Sequence, residues 1–123
     1  MNKIRISWPK GALTASLQDT PTARQVLAAL PCESSANTWG DEVYFELPLA
    51  APLEPDAQQV VEPGTVCFWV EGKSLALPFG PTPVSQGTEP RLVTRCNVLG
   101  KVDGDPRALQ GVRDGDTVRV EAA

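Results

Sequence analysis

Asn37-Thr38-Trp39-Gly40-Asp41-Glu42-Val43-Tyr44-Phe45-Glu46-Leu47 reads as a tight turn running into a strand. Asn, Gly and Asp cluster at its start, the residue types that tolerate turn backbones. Val43, Phe45 and Leu47 then alternate with Glu42, Tyr44 and Glu46. Period two gives this strand one apolar face, which needs a core to cover it, and a second face carrying two carboxyls around a phenol. With the further strands read on either side of it, the chain is expected to be mainly β.

Working outward, the same signature recurs at the N-terminal end, where Ile4, Ile6 and Trp8 alternate with Lys3, Arg5 and Ser7. Pro9-Lys10-Gly11 turns that strand back, and residues 13–17 return as its hairpin partner. Asp19 or Thr20 can cap a helix, Pro21 suits its first position, and Ala23, Val26, Leu27 and Leu30 fall at i, i+3, i+4 and i+7. The spacing predicts one main helix over 21–30, ended by Pro31. A helix this short gains most of its stability from burial, so its stripe reads as a plug on the sheet.

On the C-terminal side, Pro48, Pro52, Pro55 and Pro63 make residues 48–64 a long surface loop, with a turn of helix at 56–60. Residues 65–70 and 74–79 form a hairpin about Glu71-Gly72-Lys73, stopped by Gly80-Pro81-Thr82-Pro83. A strand starting at Leu92 or Arg95 and ending at Val102 follows. Next come the turn Asp103-Gly104-Asp105, a short helix at 106–112, the turn Asp114-Gly115-Asp116 and a last strand over 117–121. No repeat or long linker divides the chain, so residues 1–123 are expected to form one domain.

Composition excludes several classes of function. A chain of 123 residues buries about two-thirds of its unfolded surface, enough for a core without metal or disulfide support. Eleven basic against fifteen acidic residues, a net charge of -4, argue against a phosphate-tracking groove, so nucleic acid is not an expected partner. The opening residues alternate charged and apolar side chains, which predicts neither signal peptide nor membrane span and a cytoplasmic location.

Cys32, Cys67 and Cys96 are an odd count at wide spacings, with no Cys-x-x-Cys and no histidine in the chain. They read as reduced, buried thiols, with no structural metal site and no cofactor expected. Without an imidazole, Ser-His-Asp and Cys-His nucleophile activation are closed. Arg95 precedes Cys96, but strand neighbours point to opposite faces. Nor are Glu42 and Glu46 a sugar-cleaving pair: four residues along one strand span about 13 Å, whereas such carboxyls stand about 5 to 9.5 Å apart. The two Asp-Gly-Asp sequences lack the ligand ladder of a calcium loop and read as turns.

Leu17 with Pro21-Thr22-Ala23 and Leu30, then Pro63-Gly64-Thr65-Val66 with Gly72-Lys73-Ser74, then Val98-Leu99-Gly100-Lys101-Val102 with Ala108-Leu109, together resemble the strand, helix and hairpin sequence of the cyclophilins. The segment 37–45 with Phe79-Gly80-Pro81-Thr82-Pro83 is similar to a narrower group, the small prokaryotic cyclophilin-like proteins of uncharacterised function. The resemblance implies a closed β-barrel with the two helices above. It also implies a site on one side of the barrel for an extended, proline-containing peptide.

In that family an arginine donates to the proline amide and lowers the rotation barrier of about 18 to 20 kcal/mol. The corresponding piece here is Tyr44-Phe45-Glu46, which puts a carboxylate where the cation stands, and an acceptor cannot replace a donor. Counting back from Gly100, the family's pocket tryptophan falls near Arg91 and its pocket histidine near Cys96. Arg91 or Arg95 is the remaining source of a guanidinium.

The expected function is therefore a cyclophilin-like binding protein for a small molecule or short peptide, without prolyl isomerase activity. A weak peptidyl-prolyl isomerase using Arg91 or Arg95, and a subunit or relative of an amide-hydrolysing metabolic enzyme, are the alternatives. Tyr44, Glu46, Trp69, Phe79, Arg91 and Cys96 are the candidate pocket lining, with Trp39 and Glu42 at its rim. For Trp69 and Phe79 the competing reading is barrel core, and for Glu42 and Glu46 a solvated strand face.

Overall fold

The computed structural model describes residues 2–123. Strands β1 (Asn2–Trp8) and β2 (Gly11–Leu17) form the first hairpin, paired from Asn2↔Leu17 to Trp8↔Gly11. Ile4, Ile6, Leu13, Ala15 and Leu17 point inward, as the alternation requires. Helix α1 (Pro21–Ala28) starts where Thr20 accepts a hydrogen bond from the Ala23 amide at 3.1 Å. Thr22, Ala23 and Val26 are buried beneath it, with Leu27 and Leu30 packed at the margin. The helix stops two residues short of the expected 30, because Pro31 disfavours helical backbone at the residue before it.

Strands β3 (Cys32–Ser35), β4 (Asn37–Thr38) and β5 (Glu42–Glu46) follow, then β6 (Gln58–Val60), β7 (Thr65–Trp69) and β8 (Ser74–Pro78). The chain ends with the long β9 (Arg91–Val102), a 3₁₀ helix (Pro106–Gly111) and β10 (Thr117–Ala122). Strand β6 corrects the reading of 48–64 as a loop with one helical turn: Gln58 pairs with Cys96 and Val60 with Arg91. The rest of that segment is pinned through Asn97, which is wholly buried. Its side chain accepts from the Glu54 amide at 2.8 Å and donates to the Pro52 carbonyl and to Thr22 Oγ1, both at 2.9 Å.

The hydrogen-bonded order is β3-β10-β1-β2-β9-β7-β8-β5-β4, with β6 added on β9. Among the described residues the ladder ends at β3 and β4, so the closed barrel expected from the family resemblance is corrected to an open, strongly curved sheet. The physical reason lies at Ala36, which joins the two end strands. Its amide donates to the Asp116 carbonyl at 2.9 Å and its carbonyl accepts from the Gly115 amide at 2.9 Å. Thr38 is held by the same turn, donating from its amide to Asp114 Oδ1 at 2.6 Å. Backbone groups that would close the ladder are thus committed to residues 114–116.

Two apolar clusters result, one on each face. The larger gathers Ile4, Ile6, Leu17, Val26, Val43, Phe45, Phe68, Leu75, Leu77, Leu99 and Val120 inside the curl of the sheet. On the outer face, Val61, Cys67, Ala76, Leu92 and Cys96 make a second, smaller cluster flanked by Tyr44, Trp69 and Val98. Strand β9 serves both by alternation, with Cys96 and Val98 outward and Leu99 inward, and its pairing with β7 then shifts between Cys67↔Val98 and Val66↔Gly100. That bulge resets the inside-outside alternation after Leu99, so that Val102 also faces the interior. At Gly100 a Cβ would stand 2.0 Å from the Ser16 carbonyl oxygen, so only glycine lets β2 approach β9 there.

Candidate functional site

The turn that enters β5 fixes the first wall. The Trp39 amide donates to the Glu42 carbonyl at 3.0 Å, and Gly40 between them has φ +60°, the left-handed region that suits glycine. Asp41 ties this turn to the segment after β8, its amide donating to the Pro81 carbonyl at 2.9 Å and its carbonyl accepting from the Phe79 amide at 2.8 Å. Trp39 and Glu42 are thereby set at the same end of the outer face.

Along β5, Val43 and Phe45 enter the main core while Tyr44 faces outward between the two carboxyls. Ala76 lies opposite Tyr44 on β8 and opposite Cys67 on β7. Its methyl leaves depth where larger neighbours would fill it. Trp69 stands beside this floor, its ring centroid 6.0 Å from that of Tyr44 and its plane at 86° to it. Gly72 holds the indole in place: a Cβ there would meet Trp69 Cε3 at 2.2 Å, so the ring lies against bare backbone.

Strand β9 contributes Leu92, Val93 and Cys96. The result is a cavity of about 180 Å³ lined by Trp39, Glu42, Tyr44, Trp69, Ala76, Leu92, Val93 and Cys96. Five of the eight candidates named from sequence meet there: Trp39, Glu42, Tyr44, Trp69 and Cys96. Glu46 does not, since it lies at the far end of β5 opposite Ser74 and is exposed. Phe79 is half-buried against the main core and borders a separate hollow with Asp41, Val43 and Leu109. Arg91 turns away to Glu89, Nε to Oε2 at 3.0 Å. Arg95 is exposed, its Nε donating to the Ala57 carbonyl at 3.4 Å.

Glu42 dominates the electrostatics. Assigned to the rim from sequence, it is instead 6% exposed, and its Oε1 has no hydrogen-bond partner among the described residues. Its strand neighbour in β8 is Pro78, which has no amide hydrogen to offer. Burial pushes the carboxyl up from the ordinary 4.5 to about 7. The Cys96 thiol is pushed up to about 12, first by burial and then by the charges of Glu42 and Glu71. Burial, with Cys96 and Glu42, raises Cys67 as well. Neither thiol is a nucleophile at neutral pH.

The lining residues missed in the sequence were Ala76, Leu92 and Val93. Ala76 was within reach once the 65–79 hairpin was registered against β5. Leu92 and Val93 needed the pairing of β9 with β6, which Gln58-Gln59-Val60 does not announce.

A sequence model of the Cyclophilin-like family matches residues 2–121. The chain belongs to the cyclophilin-like family. This cyclophilin-like domain is also similar to a hypothetical protein from Archaeoglobus fulgidus, known from its solution structure. The two are 36% identical, the match covers 99% of this chain and 95% of the other, and the TM-score is 0.85. Among the described residues no helix is long and apolar enough to cross a membrane.

Proposed function

We propose that this cyclophilin-like domain is a binding module that takes a small molecule or short peptide segment in the Trp39–Trp69 cavity and does not accelerate rotation about X-Pro bonds. The observation that carries the reading is the inversion of polarity in the pocket. Rotation is eased by a donor to the proline nitrogen, and the charged group among the lining residues is the carboxyl of Glu42. Arg91 is held by Glu89, and Glu89 is well anchored in turn. Amides of Gln86 and Gly87 and the Arg91 guanidinium hold its carboxyl down at about 2. A shaped, largely apolar hollow with one convergent polar group is what a ligand pocket offers.

The test pairs two measurements on the purified protein. A proline-limited peptide assay is expected to show no acceleration, and a metabolite thermal-shift screen is expected to return at least one stabilising compound whose effect is lost in Tyr44→Ala. An isomerase rate that disappears in Arg91→Ala or Arg95→Ala overturns the reading.

A further inference from the structure

We propose that the cavity recognises a small organic cation, an alkylammonium headgroup whose charge rests against Glu42 while its carbons pack on Trp39, Tyr44 and Trp69. This rests on reading the cavity as a ligand pocket, and adds the class of ligand. Three observations converge on it.

The first is the unanswered carboxyl. The carboxyl is 6% exposed and its Oε1, itself shielded from solvent, has no partner among the described residues, so ionising it in the empty protein is unfavourable, because buried charge requires a partner. The chain supplies none nearby. Arg91 is paired with Glu89, Arg95 meets the Ala57 carbonyl, and no Lys or Arg belongs to the lining among the described residues. A cation from solution fits the vacancy in charge, and an anion is repelled by it.

The second is the character of the walls. Two indoles and a phenol border the same hollow, with the planes of Tyr44 and Trp69 nearly perpendicular, so an occupant meets aromatic surface from two directions. Aromatic faces attract cations electrostatically, most strongly where water is excluded, and recognition of quaternary ammonium groups uses this arrangement. The remaining lining, Ala76, Leu92, Val93 and Cys96, suits the methyl or methylene groups that such a headgroup carries.

The third is size. A hollow of about 180 Å³ is comparable with the ~150 Å³ cavities that hold a benzene-sized guest. It accommodates a headgroup of that bulk and leaves any tail to emerge past Val93, which is 51% exposed.

A neutral ligand accepting a hydrogen bond from protonated Glu42 is the competing occupant, and pH separates the two. The titratable groups around the carboxyl are Tyr44 on its own strand, Cys67 on β7, Cys96 on β9, Asp41 before it in the chain and Glu71 beyond Cys96, while β8 presents Ala76 and Pro78. A cation binds better as pH rises and Glu42 ionises, and a neutral acceptor binds worse.

The experiment is isothermal titration of the full chain with tetramethylammonium, choline, the uncharged choline isostere 3,3-dimethylbutan-1-ol, and a capped peptide carrying one lysine. Expected at about pH 8 is a preference for choline over the isostere of about thirtyfold or more, and choline affinity is expected to fall by roughly thirtyfold at about pH 5.5. Glu42→Gln is expected to abolish the preference with its melting transition intact. Because the pH series needs no variant, it decides the matter even if that substitution fails to fold.

Binding of choline or tetramethylammonium without the peptide assigns the site to free amines, and the reverse assigns it to a peptide side chain; either supports the class. Equal binding of the isostere, opposite pH dependence, or no binding by any ammonium probe overturns it. If the ammonium probes fail while an uncharged compound stabilises the protein and loses its effect in Tyr44→Ala, the pocket stands and only the cation falls. If every compound fails and peptide isomerisation is accelerated, the underlying reading falls with it.

Discussion

Replacing Glu42 by Gln should change how the stability of the protein depends on pH. The carboxyl titrates at about 7 in the folded chain against an ordinary 4.5. Below 4.5 it is protonated in both states and burial carries no charge penalty. Between 4.5 and about 7 the unfolded chain has released the proton and the folded chain has kept it. The unfolded state then binds fewer protons, so stability falls as pH rises, and it levels off above about 7. At about 1.4 kcal/mol per tenfold, the full loss is about 3 kcal/mol, an order-of-magnitude figure. For a domain of this length that corresponds to a melting shift on the order of 10 °C.

Glu42→Gln also buries an amide with hydrogens of its own, and that penalty is the same at every pH. The difference in slope between wild type and variant therefore isolates the titration. No histidine is present to blur the window. The assay is urea unfolding at half-unit steps from about pH 4.5 to 8. Wild type should lose about 3 kcal/mol across the series and the variant far less. Parallel profiles would refute the reasoning, because they would mean the carboxyl is solvated or already paired.

Other perturbations address the frame around the site. Gly72→Ala places a methyl 2.2 Å from the Trp69 ring, so the indole should swing outward, seen as a red shift and quenching of tryptophan emission, with a stability loss of about 1 to 2 kcal/mol. Gly100→Ala meets the Ser16 backbone at 2.0 Å and should destabilise by about 3 kcal/mol in denaturant titration, since strands cannot yield as side chains do. Asn97→Ala removes bonds to Thr22, Pro52 and Glu54, with an expected loss of about 2 to 4 kcal/mol and faster amide exchange across residues 52–60. Thiol labelling of the native protein should modify the half-buried Cys32 first, with Cys67 and Cys96 reacting only on unfolding.

The elements legible in the sequence were those whose residues carry a periodic contrast. Ile4-Arg5-Ile6, Val43-Tyr44-Phe45 and the Ala23-Val26-Leu27 stripe each announce a face, and each was found with that face buried. Cys32-Glu33-Ser34-Ser35 and Gln58-Gln59-Val60 announce nothing, because they are held by backbone pairing to β10 and β9 with little apolar burial of their own. The site followed the same rule. Glu42 and Tyr44 were legible as outward residues of a patterned strand, but the burial of Glu42 depends on strands 25 to 54 residues further along the chain, through Cys67 and Cys96. The open ladder was hidden for a related reason: what Ala36 bonds to is decided by residues 114–116.

The irregularity at Leu99 divides the labour of one strand between two masters. Upstream of it, Leu92, Val93 and Cys96 shape the hollow, and downstream Leu99 and Val102 hold the interior together. Substitutions at Leu92 and Val93 can therefore retune selectivity, provided Asn97, which pins Thr22, Pro52 and Glu54, is left in place. A designer wishing to change what this scaffold captures has a short stretch of backbone to rewrite and a ready indication of where to stop.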